Sequence, residues 1–274
     1  MESRPLGKTG LVCGVIGLGT WQTFDVSLSS HVDMDTRRAI VETAIDAGVD
    51  LFDSSPMYGR AEAVLGRTLR GKRDRVLVAT KVWAPSVSQG RQQIDQAFRY
   101  YDGWVDVYQV HNLVAWRQYL PLLHDLQAAG SIRATGITHY AQSAFPALID
   151  IMESEEIGTV QIPYSAVDRE VQRRILPLAA EREIGVIVMS PLRSGRLTLA
   201  TPHPDELKPL QQFGVTTWAQ ALLKWVVSDA RVTVAIPATS RVERARENAL
   251  AGSPPFFGPD ERERVSWLAR QLEA

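Results

Sequence analysis

The sequence predicts an α/β fold: a (β/α)8 TIM barrel with an N-terminal hairpin and an extra C-terminal helix. Three observations carry this. Apolar runs of strand length alternate with segments of helical period about eight times along the 274 residues. The runs are almost wholly apolar rather than alternating, as strands buried on both faces of a parallel sheet are. Polar side chains fall just past several of them, at the end where such barrels carry chemistry.

Taken in order, residues 4–7 (RPLG) and 10–15 (GLVCGV) flank the turn at Lys8, Thr9 and Gly10 and read as a hairpin. Residues 15–18 read as the first barrel strand. Residues 36–47 put Ile40, Val41, Ala44 and Ile45 on one helical face and stop at Gly48. Strand 49–53 follows, then helix 61–69, strand 76–80, helix 87–100 and strand 105–110. Helix 116–129, closed by Gly130, leads to strand 133–137, helix 143–153 to strand 159–162, and helix 170–182 to strand 186–189. Helix 217–228, strand 232–236 and helix 242–251 complete the pattern. The proline-rich residues 201–209 read as a loop insertion, and Pro254-Pro255 breaks the chain before helix 259–272. No linker or shift of composition divides the chain, so residues 1–274 read as one domain.

An open doubly wound sheet also alternates β and α, and GLVCGVIGLGT offers glycines at 14, 17 and 19. They do not fit G-x-G-x-x-G, because position 22 is Gln. Tight packing at the first strand end explains them better.

Thirty Lys and Arg against 31 Asp and Glu give a net charge of -1, so no general attraction to nucleic acid or an anionic membrane is expected. The single cysteine, Cys13, rules out an intramolecular disulfide and, set among apolar neighbours, reads as a core residue of a reducing compartment. The first ten residues show no basic region followed by an apolar run, and residues 11–18 are too short and glycine-rich to span a bilayer. A cytoplasmic protein without a membrane anchor is expected, a monomer or weak homo-oligomer.

The strand-end residues are Asp53 after the second strand, with Tyr58 on the following turn, Lys81 after the third and His111 after the fourth. Alone, Asp53, Lys81 or Tyr58 reads more readily as a cap or a solvated group, and His111 equally well as a core histidine. Together, at consecutive strand ends, they point to proton transfer to a carbonyl oxygen. A phenol with a pKa of about 10 is a poor acid at neutral pH, and a neighbouring ammonium is expected to lower that value. Tyr58 is then the general acid, Lys81 its tuner, Asp53 the anchor of Lys81, and His111 the group that orients the substrate oxygen. The remaining histidines, 31, 124, 139 and 203, lack metal-ligand spacing, and no metal is expected.

FDSSPMYG, VATKVW, QVHN, IRATGITHY, QIPYSAVDR, MSPLRSGRL and AIPATSRVERARENAL together resemble the ordered motifs of the aldo-keto reductases, from one end of the chain to the other. The resemblance implies a metal-free (α/β)8 barrel that reduces aldehydes or ketones with NADPH, NADH being possible, by hydride transfer and protonation from tyrosine. Its catalytic tetrad falls on Asp53, Tyr58, Lys81 and His111. Its cofactor positions fall on Gly19, Thr20, Trp21, Asp53, Thr138, His139, Gln161, Met189, Ser190, Pro191, Leu192, Arg193, Ile236, Thr239, Arg241, Arg244, Glu247 and Asn248. Thr138-His139 stands where the family has Ser-Asn, Met189 where an aromatic stacks on the nicotinamide, and Ala238 where a lysine is common.

Physically, a strand ending at Pro237 before a helix that opens near Val242 turns backbone N–H groups toward an anion, and Arg241 and Arg244 suit a 2′-phosphate. A surface helix with Arg–Glu pairs reads the same way on the residues alone. Arg193 and Arg196 suit the cofactor pyrophosphate or an acidic substrate. Trp21, Met57, Trp83, Asn112 and Trp116, all on segments after strands, either wall an apolar substrate pocket or pack the rim. Two alternatives stay open: a Schiff-base aldolase using Lys81, and an NADPH-sensing regulatory subunit with slow turnover.

Overall fold

The computed structural model describes residues 1–273. β1 (Ser3–Pro5) and β2 (Val12–Gly14) pair antiparallel as the expected hairpin, with Arg4 opposite Cys13. Gly7, at φ 57°, bridges to Ile184, and a Cβ there would stand 2.3 Å from the carbonyl oxygen of Glu183. Only glycine lets the hairpin dock this closely.

Eight parallel strands then form one sheet in chain order: β3 (Leu18–Gly19), β4 (Leu51–Asp53), β5 (Leu77–Val82), β6 (Val105–His111), β7 (Ile132–Thr138), β8 (Thr159–Pro163), β9 (Gly185–Met189) and β10 (Val234–Ala235). Parallel bridges from Ile16 to Ala235 and from Gly19 to Ala238 join the two ends and wrap the sheet into a barrel. A Cβ on Gly17 would lie 2.8 Å from the carbonyl oxygen of Leu51, and one on Gly19 2.8 Å from that of Ile236. These glycines serve closure of the barrel, as expected, and not a dinucleotide turn.

Around the barrel run α1 (His31–Asp46), α2 (Ala61–Thr68), α3 (Val87–Tyr100), α4 (Trp116–Ala128), α5 (Phe145–Ser154), α6 (Ile175–Glu181), α7 (Pro204–Leu207), α8 (Trp218–Val227), α9 (Val242–Leu250) and the appended α10 (Pro259–Glu273). Among the described residues no helix is long and apolar enough to cross a membrane.

The first and last barrel strands, expected over 15–18 and 232–236, are confined to Leu18–Gly19 and Val234–Ala235. Among the helices and loops four boundaries differ from expectation, each for a local reason. α1 starts at His31, because the Ser30 hydroxyl caps it by accepting the N–H of Asp33. The helix expected over 170–182 divides into a 3₁₀ turn and α6, since Pro177 has no N–H to continue the earlier turn. Pro146 likewise sets the start of α5 behind a 3₁₀ turn. The stretch expected as a loop at 201–209 holds α7, with proline at its first position, and runs into a 3₁₀ segment, Lys208–Phe213.

Inside the barrel, Leu51, Ala79, Val107, Ala134, Ile187 and Val234 form a floor with Leu6, Leu11 and Cys13 of the hairpin region, so the hairpin plugs the N-terminal end. Burial, with the nearby charge of Asp50, pushes the Cys13 thiol up to about 12, which makes it an inert core residue. Strand periodicity then sets what lies above. Two residues beyond Leu51, Ala79, Val107 and Ala134 come Asp53, Lys81, Gln109 and Gly136, and two further come His111 and Thr138. An apolar floor and a polar upper layer follow from one parity.

Candidate active site

Asp53 ends β4, and the turn after it is written into Ser55-Pro56-Met57-Tyr58. The Tyr58 N–H donates to the Ser55 carbonyl oxygen (3.0 Å), with proline at the second position, where its fixed φ suits a β-turn. The Ser55 hydroxyl accepts the Met57 N–H at 3.2 Å. Gly59 follows at φ 63°, against the Asp25 carboxylate, which accepts both the backbone N–H and the Nε–H of Arg60 at 3.1 Å. Tyr58 is thus presented by a turn held on both sides.

Lys81 and Asp53 are only 1% and 2% exposed. Lys81 Nζ donates to both carboxylate oxygens of Asp53, at 2.8 and 2.7 Å, and to the Ser54 carbonyl oxygen at 2.8 Å. Burial alone would push the amine down. The Asp53 carboxylate outweighs it, helped by Tyr58 and Glu62, and Lys81 is held as an ammonium above its ordinary value. Its Nζ lies 5.3 Å from the centroid of the Tyr58 ring.

The expected lowering of Tyr58 is not what this arrangement gives. Burial pushes the phenol up, the Lys81 ammonium only partly offsets that, and the Asp53 charge adds to the rise. The Lys81 cation alone favours the phenolate, but desolvation of the buried phenol outweighs it. Tyr58 is therefore a firmly protonated phenol, a donor rather than a phenolate.

His111 ends β6, its ring edge-on to Tyr58 with centroids 5.9 Å apart and an interplanar angle of 88°. Burial, with the Lys81 charge and His139, pushes the imidazole down to about 3, so it is neutral. Its Nδ1 lies 2.8 Å from Ser55 Oγ. Behind Lys81, the Thr80 hydroxyl donates to the buried Glu62 carboxyl at 2.6 Å, and burial pushes that carboxyl up to about 7. Sequence reasoning missed Ser55 and Glu62. Ser-Pro opening a turn was the available signal for Ser55, and Glu62, in the first turn of α2, reads from sequence as an ordinary helix-end acid.

The other sequence-predicted positions divide. Thr138, opposite His111 in register at the end of β7, and Gln161, opposite Thr138 within β8, are buried, and Thr138 Oγ1 and Gln161 Oε1 have no hydrogen-bond partner among the described residues. His139 follows Thr138, its Nδ1 accepting the Ala141 N–H at 3.0 Å. Met189 ends β9, and Ser190, Pro191, Leu192 and Arg193 follow, with Ser190 and Arg193 in left-handed backbone (φ 51° and 48°). Arg193 is held by Asp168 (3.0 Å) and by Glu273 rather than free. Gly19 and Thr20 stand at the closing seam, the Thr20 hydroxyl donating to the Asp53 carbonyl oxygen and to Ser54 Oγ, both at 2.9 Å.

At the start of α9, Thr239 Oγ1 accepts the Arg241 N–H, and no side chain caps the helix. Arg241 pairs with Glu243 at 2.5 Å, Arg244 is exposed, and Asn248 is buried. Glu247 accepts from the Thr217 hydroxyl at 2.5 Å, which ties α9 to the start of α8. Trp21, Met57 and Trp83, on the segments after β3, β4 and β5, are 43%, 45% and 40% exposed, unusually so for side chains of their size. Asn112, in left-handed backbone, follows His111 directly. Trp116, at the start of α4, lines a groove between α4 and α5 with Ala147, Asp150 and Ile151.

Comparison with known proteins identifies the family and the fold. The profile described as Aldo/keto reductase family matches residues 15–257. The chain is 28% identical over 216 residues to the aldo-keto reductase YhdN of Bacillus subtilis (strain 168), a match covering 72% of this chain and 64% of that protein. It is 26% identical over 243 residues to the methylglyoxal reductase YeaE of Escherichia coli (strain K12), covering 85% and 84%. Among solved structures, an aldo-keto reductase from Klebsiella pneumoniae in complex with NADPH superposes with a TM-score of 0.80 at 23% identity, covering 100% of this chain and 96% of that one.

Proposed function

The chain belongs to the aldo/keto reductase family of NAD(P)H-dependent oxidoreductases, and from that premise we propose that it reduces an aldehyde or ketone to the alcohol with NADPH, or NADH, as reductant. The observation that carries this reading is the convergence of a protonated Tyr58, a neutral His111 and the buried Lys81–Asp53 pair at three neighbouring strand ends.

The residues present fit the cofactor. A carboxamide offers an acceptor and donors, which suit the unpartnered Thr138 Oγ1 and Gln161 Oε1. Gly19, Thr20, Trp21, His139, Met189 and residues 190–193 would hold the nicotinamide end. Ile236, Thr239, Arg241 and Arg244, leading into and at the uncapped start of α9, with Glu247 and Asn248 further along the helix, would hold the adenosine phosphate. A reduced nicotinamide, when bound, supplies the hydride.

The chain's own residues manage the oxygen. Tyr58 keeps its proton until negative charge develops on the substrate oxygen and then gives it up. The Lys81 ammonium favours that transfer through its field, since its three N–H groups are already taken by Asp53 and Ser54. Asp53 keeps Lys81 charged and fixed. His111 donates to the same oxygen and sets its direction. Trp21, Met57, Trp83 and Asn112 form the substrate wall, which suits a small to medium carbonyl compound with an apolar substituent. The similarity to a methylglyoxal reductase and to an NADPH-bound structure supports reaction and cofactor class alike.

A Schiff-base aldolase is disfavoured, because a nucleophilic amine needs a free lone pair and access, and Lys81 has neither. The test is oxidation of NADPH and NADH across a panel of aldehydes and ketones, with Tyr58→Phe alongside. Turnover with NADPH that falls by orders of magnitude in Tyr58→Phe, with cofactor affinity nearly unchanged, is expected. Full activity in that variant overturns the role of Tyr58, and tight NADPH binding without reduction of any carbonyl returns the regulatory-subunit reading.

A further inference from the structure

His111 has two ring nitrogens, and the proposed reaction needs the proton on the one that faces the substrate. The Ser55 hydroxyl lies 2.8 Å from Nδ1 and already accepts the Met57 N–H. Two arrangements satisfy the distance. In one, Nδ1–H donates to Ser55 Oγ, and the hydroxyl hydrogen then needs an acceptor elsewhere. Ser55 is 0% exposed, and among the described residues that hydroxyl donates to no other group. A stranded donor in a dry site costs about 1–3 kcal/mol. In the other, the hydroxyl donates to Nδ1, the buried serine is satisfied, and the neutral ring carries its proton on Nε2, which has no protein partner but is not among the buried unpartnered atoms and so is left to donate to a molecule in the site.

We propose that Ser55 is a positioning residue: its O–H···Nδ1 bond locks His111 as the Nε2–H tautomer, so that Nε2–H and the Tyr58 O–H are presented as two donors to one carbonyl oxygen. The proposal rests on the reductase reading above for its consequence, but the tautomer itself can be read without turnover. Ser55 does this from the same turn that presents Tyr58, its backbone carbonyl accepting the Tyr58 N–H while its side chain sets the imidazole. The spacing between the two donors is therefore fixed by four consecutive residues.

The test uses the full-length protein labelled with ¹⁵N-histidine, with and without NADPH, and His111→Asn to assign the His111 signals. Nδ1 is expected to resonate as an unprotonated, pyridine-type nitrogen and Nε2 as a protonated, pyrrole-type one. His139 serves as an internal control, because its Nδ1 accepts a backbone N–H and its Nε2–H form does not depend on Ser55. In Ser55→Ala the His111 signals should become a mixture of tautomers while those of His139 stay put, and kcat should fall about tenfold, below the 10²- to 10⁴-fold of a proton-transfer residue. Ser55→Thr, which keeps the hydroxyl, should restore both the single tautomer and most of the rate. A protonated Nδ1 in the wild-type protein, or a single Nε2–H tautomer with full kcat in Ser55→Ala, overturns the proposal. A locked tautomer that mixes in Ser55→Ala upholds it even where no carbonyl is reduced, so failure of the reaction and failure of the lock are told apart.

Discussion

Glu62 carries a proton that a solvated carboxyl would have lost, and this couples the folded state to pH near neutrality. Burial raises its pKa from an ordinary 4.5 to about 7, with the Thr80 hydroxyl and the Lys81 charge holding it back. A carboxyl raised on folding is most favourable to the fold below its unfolded pKa, and that contribution is lost as pH rises through the folded one. The loss attributable to Glu62 falls between about pH 4.5 and pH 7 and is on the order of 3 kcal/mol at 1.36 kcal/mol per unit. Glu62→Gln keeps a hydrogen-bonding side chain without the charge. Urea midpoints measured at intervals across that window should decline in the wild-type protein and stay flatter in the variant, and parallel profiles would contradict the assignment. His111 has the opposite sign: its depressed pKa favours the fold above pH 6.5 and costs stability as pH falls toward about 3. At this scale the sequence disclosed which side chains matter but not their titration, because desolvation depends on contacts far apart in the chain. Tyr58 is the clear case, since the adjacent cation was legible and the burial that outweighs it was not.

At the scale of elements, the period-2 and period-3.6 patterns were enough to order every barrel strand and its helix, because both faces of each strand are buried and the apolar runs carry no competing signal. What escaped was local chemistry at the ends: a serine cap on α1, and prolines at positions 146 and 177 that deny the preceding turn its next hydrogen bond. The strand-end loops govern substrate choice, and Trp83, exposed just past β5, is the sharpest probe. Trp83→Ala should raise KM for aromatic or long-chain aldehydes about tenfold, roughly the 1–3 kcal/mol of an apolar contact, while changing KM for the smallest aldehydes little. Equal effects across chain lengths would remove Trp83 from the pocket. The seam where β3 meets the end of the chain's last barrel strand makes a separate demand. Gly19→Ala drives a methyl to 2.8 Å from the Ile236 carbonyl oxygen, and overpacking of this kind typically costs about 1–3 kcal/mol. A urea midpoint indistinguishable from wild type would mean that the seam yields without strain.

Across the whole molecule, the same strands that hold Asp53, Lys81 and His111 at one end hold an apolar floor at the other, and the N-terminal hairpin closes that floor. The two ends are joined by packing but do separate work, and this division can be tested with one residue. Leu6 is fully buried in the floor, against Gly185 at the start of β9, the end of that strand opposite Met189. Leu6→Ala removes buried methylene volume from a site that the rigid barrel prevents from collapsing, so a loss of about 2–5 kcal/mol is expected. Because the hydrogen bonds of Lys81 and the turn at Ser55 lie above the floor, kcat/KM measured well below the unfolding transition should stay within about twofold of wild type. Tyr58→Phe should give the reverse, with the urea midpoint retained and turnover lost. If Leu6→Ala lowered kcat in proportion to its loss of stability, the floor would be setting strand-end geometry, and the polar layer would have to be treated as one cooperative unit with the plug beneath it.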